Sequence, residues 1–90
     1  MKEREQVKFL QSYIYTEKYG DFFVSTCYRQ SSAMLNPDAW YFETFAWKLD
    51  KDKKRTEWVA DNSGSSYEEG AIKQHMEVCL QLHKTGEFKE

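Results

Sequence analysis

The strongest constraint in this sequence is a pair of segments that carry large side chains at both phases of an alternating pattern. In an extended chain Phe22, Val24, Thr26 and Tyr28 point one way, and Phe23, Ser25, Cys27 and Arg29 the other. Across Trp40–Leu49 the same alternation sets Trp40 and Phe42 against Tyr41, Phe45 and Trp47. Successive side chains of a strand leave opposite faces, and aromatic and β-branched residues favour strands. Both segments therefore read as strands of a sheet with rings on both faces. A 90-residue chain forms one small domain and buries only about 60% of its unfolded surface. The rings, at roughly 150–250 Å² each, are what such a chain can use as a core.

The flanking segments complete the outline. In residues 7–16, Val7, Phe9, Tyr13 and Tyr15 fit a period of two, while Val7, Leu10 and Ile14 fit a helical face. The run Tyr13-Ile14-Tyr15-Thr16 favours the strand, and Lys18-Tyr19-Gly20-Asp21 supplies a turn centred on Gly20. A loop over residues 30–39 carries Asn36-Pro37-Asp38 as its turn signal. Asp50-Lys51-Asp52-Lys53-Lys54 is a solvated hairpin tip, and residues 56–61 return as a strand. A register centred on that tip sets Phe45 opposite Trp58 and Trp47 opposite Thr56. Residues 62–66 end the sheet, and Ser65 with Glu68, or Ser66 with Glu69, forms a capping box. A helix then runs from Tyr67 to about Lys84, with Ile72, His75, Met76, Cys79 and Leu82 on its apolar face. Gly86 caps its end and Phe88 folds back on the last turn. Residues 1–6 and 87–90 are expected to fray. The sum is an α+β domain, an antiparallel meander of three to four strands with one C-terminal helix packed on one face. A helical 7–16 would instead give the order αβββα.

Composition narrows the function. Thirteen Lys and Arg against fifteen Asp and Glu leave a net charge of −2, which argues against a nucleic-acid partner. The charged start Met1-Lys2-Glu3-Arg4-Glu5 leads into no apolar signal region. No run approaches the ~18 apolar residues of a membrane span. The expected setting is the cytoplasm of a host cell, with Cys27 and Cys79 as free thiols.

One helix covers one sheet face, so the surplus rings need an explanation. With Tyr41, Phe45, Trp47 and Trp58 taken as the helix-facing set, Trp40, Phe42, Phe22 and Tyr28 remain as a binding surface for a protein partner or a second copy of the chain. The bland alternative is a cover formed by the N-terminal segment or the 30–39 loop. A nucleobase-stacking platform would need interleaved Lys and Arg, in which the strands are poor. Glu43, His75 and Cys79 form a polar core group, with Glu43 among rings and facing the helix that carries His75. His75, Cys79 and His83 share a helical spacing that could grip a metal, with Cys27 as a fourth ligand. A packed thiol and a hydrogen-bonded histidine are the simpler account, so no metal, cofactor or catalytic residue is assigned.

The stretch Phe42-Glu43-Thr44-Phe45-Ala46-Trp47, a charged hairpin, and then Glu68-Glu69-Gly70-Ala71-Ile72-Lys73-Gln74-His75 resembles small phage and prophage proteins. These carry a Phe-Glu-Thr-like strand motif and a helix opening with an acidic pair, Ala and His. Gly70 departs from that pattern, and the N-terminal segment is additional to it. The resemblance covers about residues 22–82. It implies a phage or mobile-element origin and a ββα-type core, and it implies no activity. The leading expectation set beside it is a small accessory protein that binds a host or phage protein, in its most specific form an inhibitor of a bacterial defence system such as an anti-CRISPR. The αβββα alternative is similar to a double-stranded-RNA-binding domain, but Tyr67-Glu68-Glu69 stands where that class grips phosphate. A small metal protein or enzyme is the third alternative.

Overall fold

The computed structural model describes residues 6–30 and 40–89. Four strands, β1 (Gln6–Thr16), β2 (Gly20–Gln30), β3 (Trp40–Leu49) and β4 (Arg55–Ser65), precede one helix, α1 (Glu68–Thr85). The strands pair antiparallel in the order β1-β2-β3-β4, and α1 lies across all four. The α+β meander is thus the fold, and the αβββα alternative falls because residues 6–16 are strand. Residues 1–5 and the turn signal Asn36-Pro37-Asp38 lie outside the described residues.

The ladder fixes which side chains share a face. Phe22, Val24, Thr26 and Tyr28 stand opposite Lys48, Ala46, Thr44 and Phe42. Ile14, Ser12, Leu10 and Val7 extend that face onto β1, and Ala60 and Asn62 onto β4. This is the face that α1 covers. Phe22, Val24, Ala46 and Ala60 form the core with Val78, Cys79 and Leu82, and Ile14, Tyr19, Val59 and Phe88 close its margin. The expected assignment of faces is therefore reversed. Phe22 is 1% exposed and Phe42 5%, both beneath the helix side, whereas Phe45, Trp47 and Trp58 stand on the far side. The reason is steric. A helix settles on a sheet only where the central side chains are small, and Val24, Thr26, Thr44, Ala46 and Ala60 make that bed. Bulky rings at the same positions would hold it off.

The helix itself is rotated from expectation. Its buried residues are Ala71, His75, Val78, Cys79 and Leu82. Ile72, Met76 and Leu80 are exposed instead, because each follows a buried residue by one position, about 100° further round the helix. The N-cap is Tyr67, without a side-chain capping bond, in place of the Ser65 or Ser66 expected from the sequence. Ser65 still belongs to β4, which runs past Asp61 to pair with β3 as far as Phe42. At the other end Gly86 adopts φ 74° and its N–H donates to the Leu82 carbonyl. A Cβ there would also meet the Tyr19 side chain at 2.7 Å. Phe88 packs on the core, and the Lys89 N–H donates to Gln81 Oε1 at 3.0 Å. Gln6 likewise pairs with Arg29 in the ladder.

The hairpin register also differs from the one centred on the tip. Trp47 is opposite Trp58 and Phe45 opposite Asp61, because irregularities between Ala46 and Trp47 and between Lys48 and Leu49 displace the pairing. The Phe45 and Trp58 rings still lie 6.1 Å apart. At the tip the Asp50 carboxylate accepts the N–H groups of Asp52 and Lys54, and Lys53 turns with φ 64°.

Candidate functional site

The face of the sheet that α1 does not cover is tiled with rings and cations. Tyr13 lies 4.9 Å from Phe23, Phe23 lies 6.0 Å from Trp47, and Phe45 touches both Trp47 and Trp58. Tyr15 stacks on Tyr13. The ladder brings these together from four strands, because partners across an antiparallel pair share a face. Tyr13, Tyr15 and Trp58 remain 54%, 60% and 57% exposed. Arg55 sits 4.4 Å above Trp47 and 4.8 Å above Phe23, Arg29 lies over Phe45, and Lys53 lies over Tyr15. The cations missing from a run of strand sequence are thus present on the folded face. Arg55 and Lys53 arrive from the hairpin tip, and only the fold sets them above rings of β1, β2 and β3.

In the middle of this face is a recess of about 280 Å³. Lys8, Gln11, Ser25, Cys27, Arg29, Phe45, Trp47 and Arg55 line it. Its floor is polar: Gln11 Nε2 donates to Ser25 Oγ at 2.5 Å, and Ser25 Oγ lies 3.6 Å from the Cys27 thiol. Beside it, Arg29 Nη1 donates to Glu43 Oε1 at 2.7 Å, and the Tyr41 hydroxyl donates to the same oxygen. Burial, and then the Glu43 carboxylate, push the Tyr41 phenol above its ordinary value. Arg29 Nε is shut off from water and has no acceptor among the described residues. A buried donor left in that state costs about 1–3 kcal/mol.

Glu43 is therefore among rings, as expected, but on the face opposite His75. His75 belongs to a different polar group, beneath the helix. Its Nδ1 is 2.8 Å from Thr26 Oγ1, its Nε2 is 2.8 Å from Ser12 Oγ, and Thr26 and Thr44 share a 2.6 Å hydrogen bond. Gln74 bridges from Thr44 to the Asn62 carbonyl. Burial lowers the His75 pKa and raises that of Cys79, a rise that the nearby Ser12 hydroxyl partly offsets. Both ring nitrogens of His75 are thus engaged. Cys79 lies beside it, while His83 is exposed at the helix end and Cys27 opens on the other side of the sheet. The chain does not bring His75, Cys79, His83 and Cys27 together. Both cysteines are free and buried.

Of the four residues expected to form a binding surface, Phe22 and Phe42 are core. Tyr28 and Trp40 are half-buried and stacked at 5.1 Å, on the helix side of the sheet beyond the first helical turn. Tyr28 and Phe42 line a second cleft there, of about 420 Å³, with Val7, Phe9 and Tyr67. The residues that the sequence reading placed in the core, Phe45, Trp47 and Trp58, are the ones that form the open face. The signal that could have reversed the assignment is the run of small residues at alternate positions, Thr44 and Ala46 with Ala60 across from them. No helix among the described residues is long and apolar enough to cross a membrane. Compared with known proteins, the chain matches no family model, no curated protein and no solved structure.

Proposed function

We propose that this protein is a binding module that docks another protein on its open sheet face. The observation that carries this reading is the composition of that face: Tyr13, Tyr15, Trp47 and Trp58 interleaved with Arg29 and Arg55. Trp, Tyr and Arg are the residue types that dominate interface energetics, and they do so where rings are held rigid and edges are dry. Here cross-strand neighbours hold the rings, so little side-chain freedom is lost on docking. In the setting that the phage-protein resemblance implies, such docking acts by occupying a surface of a host or phage protein. Steric inhibition of a defence system is the most specific form of that proposal. A polyanion is a poorer occupant, because Asp21 and Glu43 share the face and the chain is net negative.

The test uses two doubly substituted proteins as baits in a bacterial lysate. Tyr15→Ala with Trp58→Ala alters the open face. Ile72→Ser with Met76→Ser alters the exposed helix stripe. The expected result is a partner retained by the wild type and by the helix variant, with binding weakened by more than about 2 kcal/mol in the sheet variant. Retention by the sheet variant, or loss only in the helix variant, would overturn the proposal. Sedimentation of the wild type alone shows whether the occupant is a second copy of the chain.

A further inference from the structure

We infer that the recess at the centre of the open face is a carboxylate-binding pocket, and that the segment docked there is acidic. This rests on the protein-docking reading and names the chemistry of the partner. Three cations, Lys8, Arg29 and Arg55, converge on a recess of about 280 Å³. Glu43 engages Arg29 through Nη1, and Asp61 stands on the same face, opposite Phe45. Arg29 Nε has no acceptor among the described residues. Among the described residues Arg55 makes no ion pair, and its guanidinium rests on the faces of Trp47 and Phe23. A guanidinium over a ring face still presents N–H groups to an acceptor at its edge. Phe45 and Trp47 form apolar walls beside those donors, and Gln11 and Ser25 add polar atoms to the floor.

The charge of the recess favours a single carboxylate over a phosphate. Glu43 already neutralises part of the local positive charge, and a doubly charged group would face it across Arg29. An aspartate or glutamate side chain brings one negative charge, two in-plane acceptors and a short apolar stem for the ring walls. Neighbouring apolar side chains of the same segment would then rest on Tyr13, Tyr15 and Trp58. The pocket thus sets register, while the rings supply area.

The experiment titrates the protein with a short acetylated and amidated peptide of alternating Leu and Glu. Parallel arms use the Leu–Gln counterpart and a single-stranded oligothymidylate. Tryptophan fluorescence and the arginine side-chain N–H resonances are followed. The Glu peptide is expected to bind and to move the Arg29 Nε–H signal. Its affinity should fall about tenfold or more in Arg55→Gln, and further with added salt. Arg55 is exposed on a strand, so that variant keeps its fold, and Lys8→Gln provides an independent second variant. Equal binding of the Gln peptide, no loss in either variant, or preference for the oligothymidylate would overturn the pocket. If both peptides perturb Tyr15 and Trp58 alike, the docking face stands and the carboxylate pocket alone fails. If neither peptide binds, the pocket fails, and the lysate experiment decides the docking face separately.

Discussion

Beneath the helix, β2, β3 and β4 present Val24, Thr26, Thr44, Ala46 and Ala60; on the other side the same strands present Phe23, Phe45, Trp47 and Trp58. The covered face is small and partly polar, and the open face is large and aromatic. The inversion follows from what each face meets. A helix backbone needs close approach, so its bed is flat, and every polar atom trapped there needs a partner. Ser12, Thr26, Thr44 and His75 provide those partners for one another. The open face meets no layer of its own chain among the described residues. Its rings stack or tilt against one another, and Arg29 and Arg55 lie over them.

Exchanging large side chains for small ones tests this contrast most severely. Phe22→Ala beneath the helix should cost about 3–5 kcal/mol in denaturant unfolding, whereas Trp58→Ala on the open face should cost less than about 1 kcal/mol. Comparable losses would mean that the two faces are equally core. Gly86→Ala sharpens the covered side. It forces an L-residue into a left-handed cap and drives a methyl into Tyr19, so a loss of at least about 1 kcal/mol is expected in the same assay. A neutral effect would show that the chain end is not clamped to the β1–β2 turn.

The smallest effect is read by pH. Burial lowers the His75 pKa, so the unfolded chain binds a proton more readily than the folded one. Stability is then full above the ordinary histidine value near 6.5 and declines as pH falls below it, by no more than about 1.4 kcal/mol per pH unit. His75→Gln should flatten that slope between pH values of about 7 and 5, before carboxylates titrate. An unchanged slope would remove His75 from the covered polar group. Trp58→Ala should leave the slope intact, which keeps the two faces distinct.

Alternation in β2 and β3, the charged tip and the Gly86 cap were all legible in the sequence, because each is a local pattern with a local cause. The identity of the covered face was not. Alternation separates two sets of side chains without saying which set meets the helix, and size misleads when close approach matters more than hydrophobicity. The extension of β4 was hidden because Asn62, Ser63 and Gly64 have the composition of a turn, yet the length of β3 offers them a partner. The recess was hidden for another reason: Lys8, Arg29 and Arg55 come from three strands and converge only once the register is set.

Strand order follows chain order, with the helix last. Each strand pairs with the one synthesised just before it, so the sheet closes through contacts of low sequence separation and small loop entropy. The helix bed has no such local cover. A chain that ends or stalls before residue 68 keeps Phe22, Val24, Ala46 and Ala60 in water while the aromatic side is open too. Such a sheet is adhesive on both sides and prone to aggregate. Docking of the final element covers one side of the sheet and leaves the aromatic side as the uncovered one.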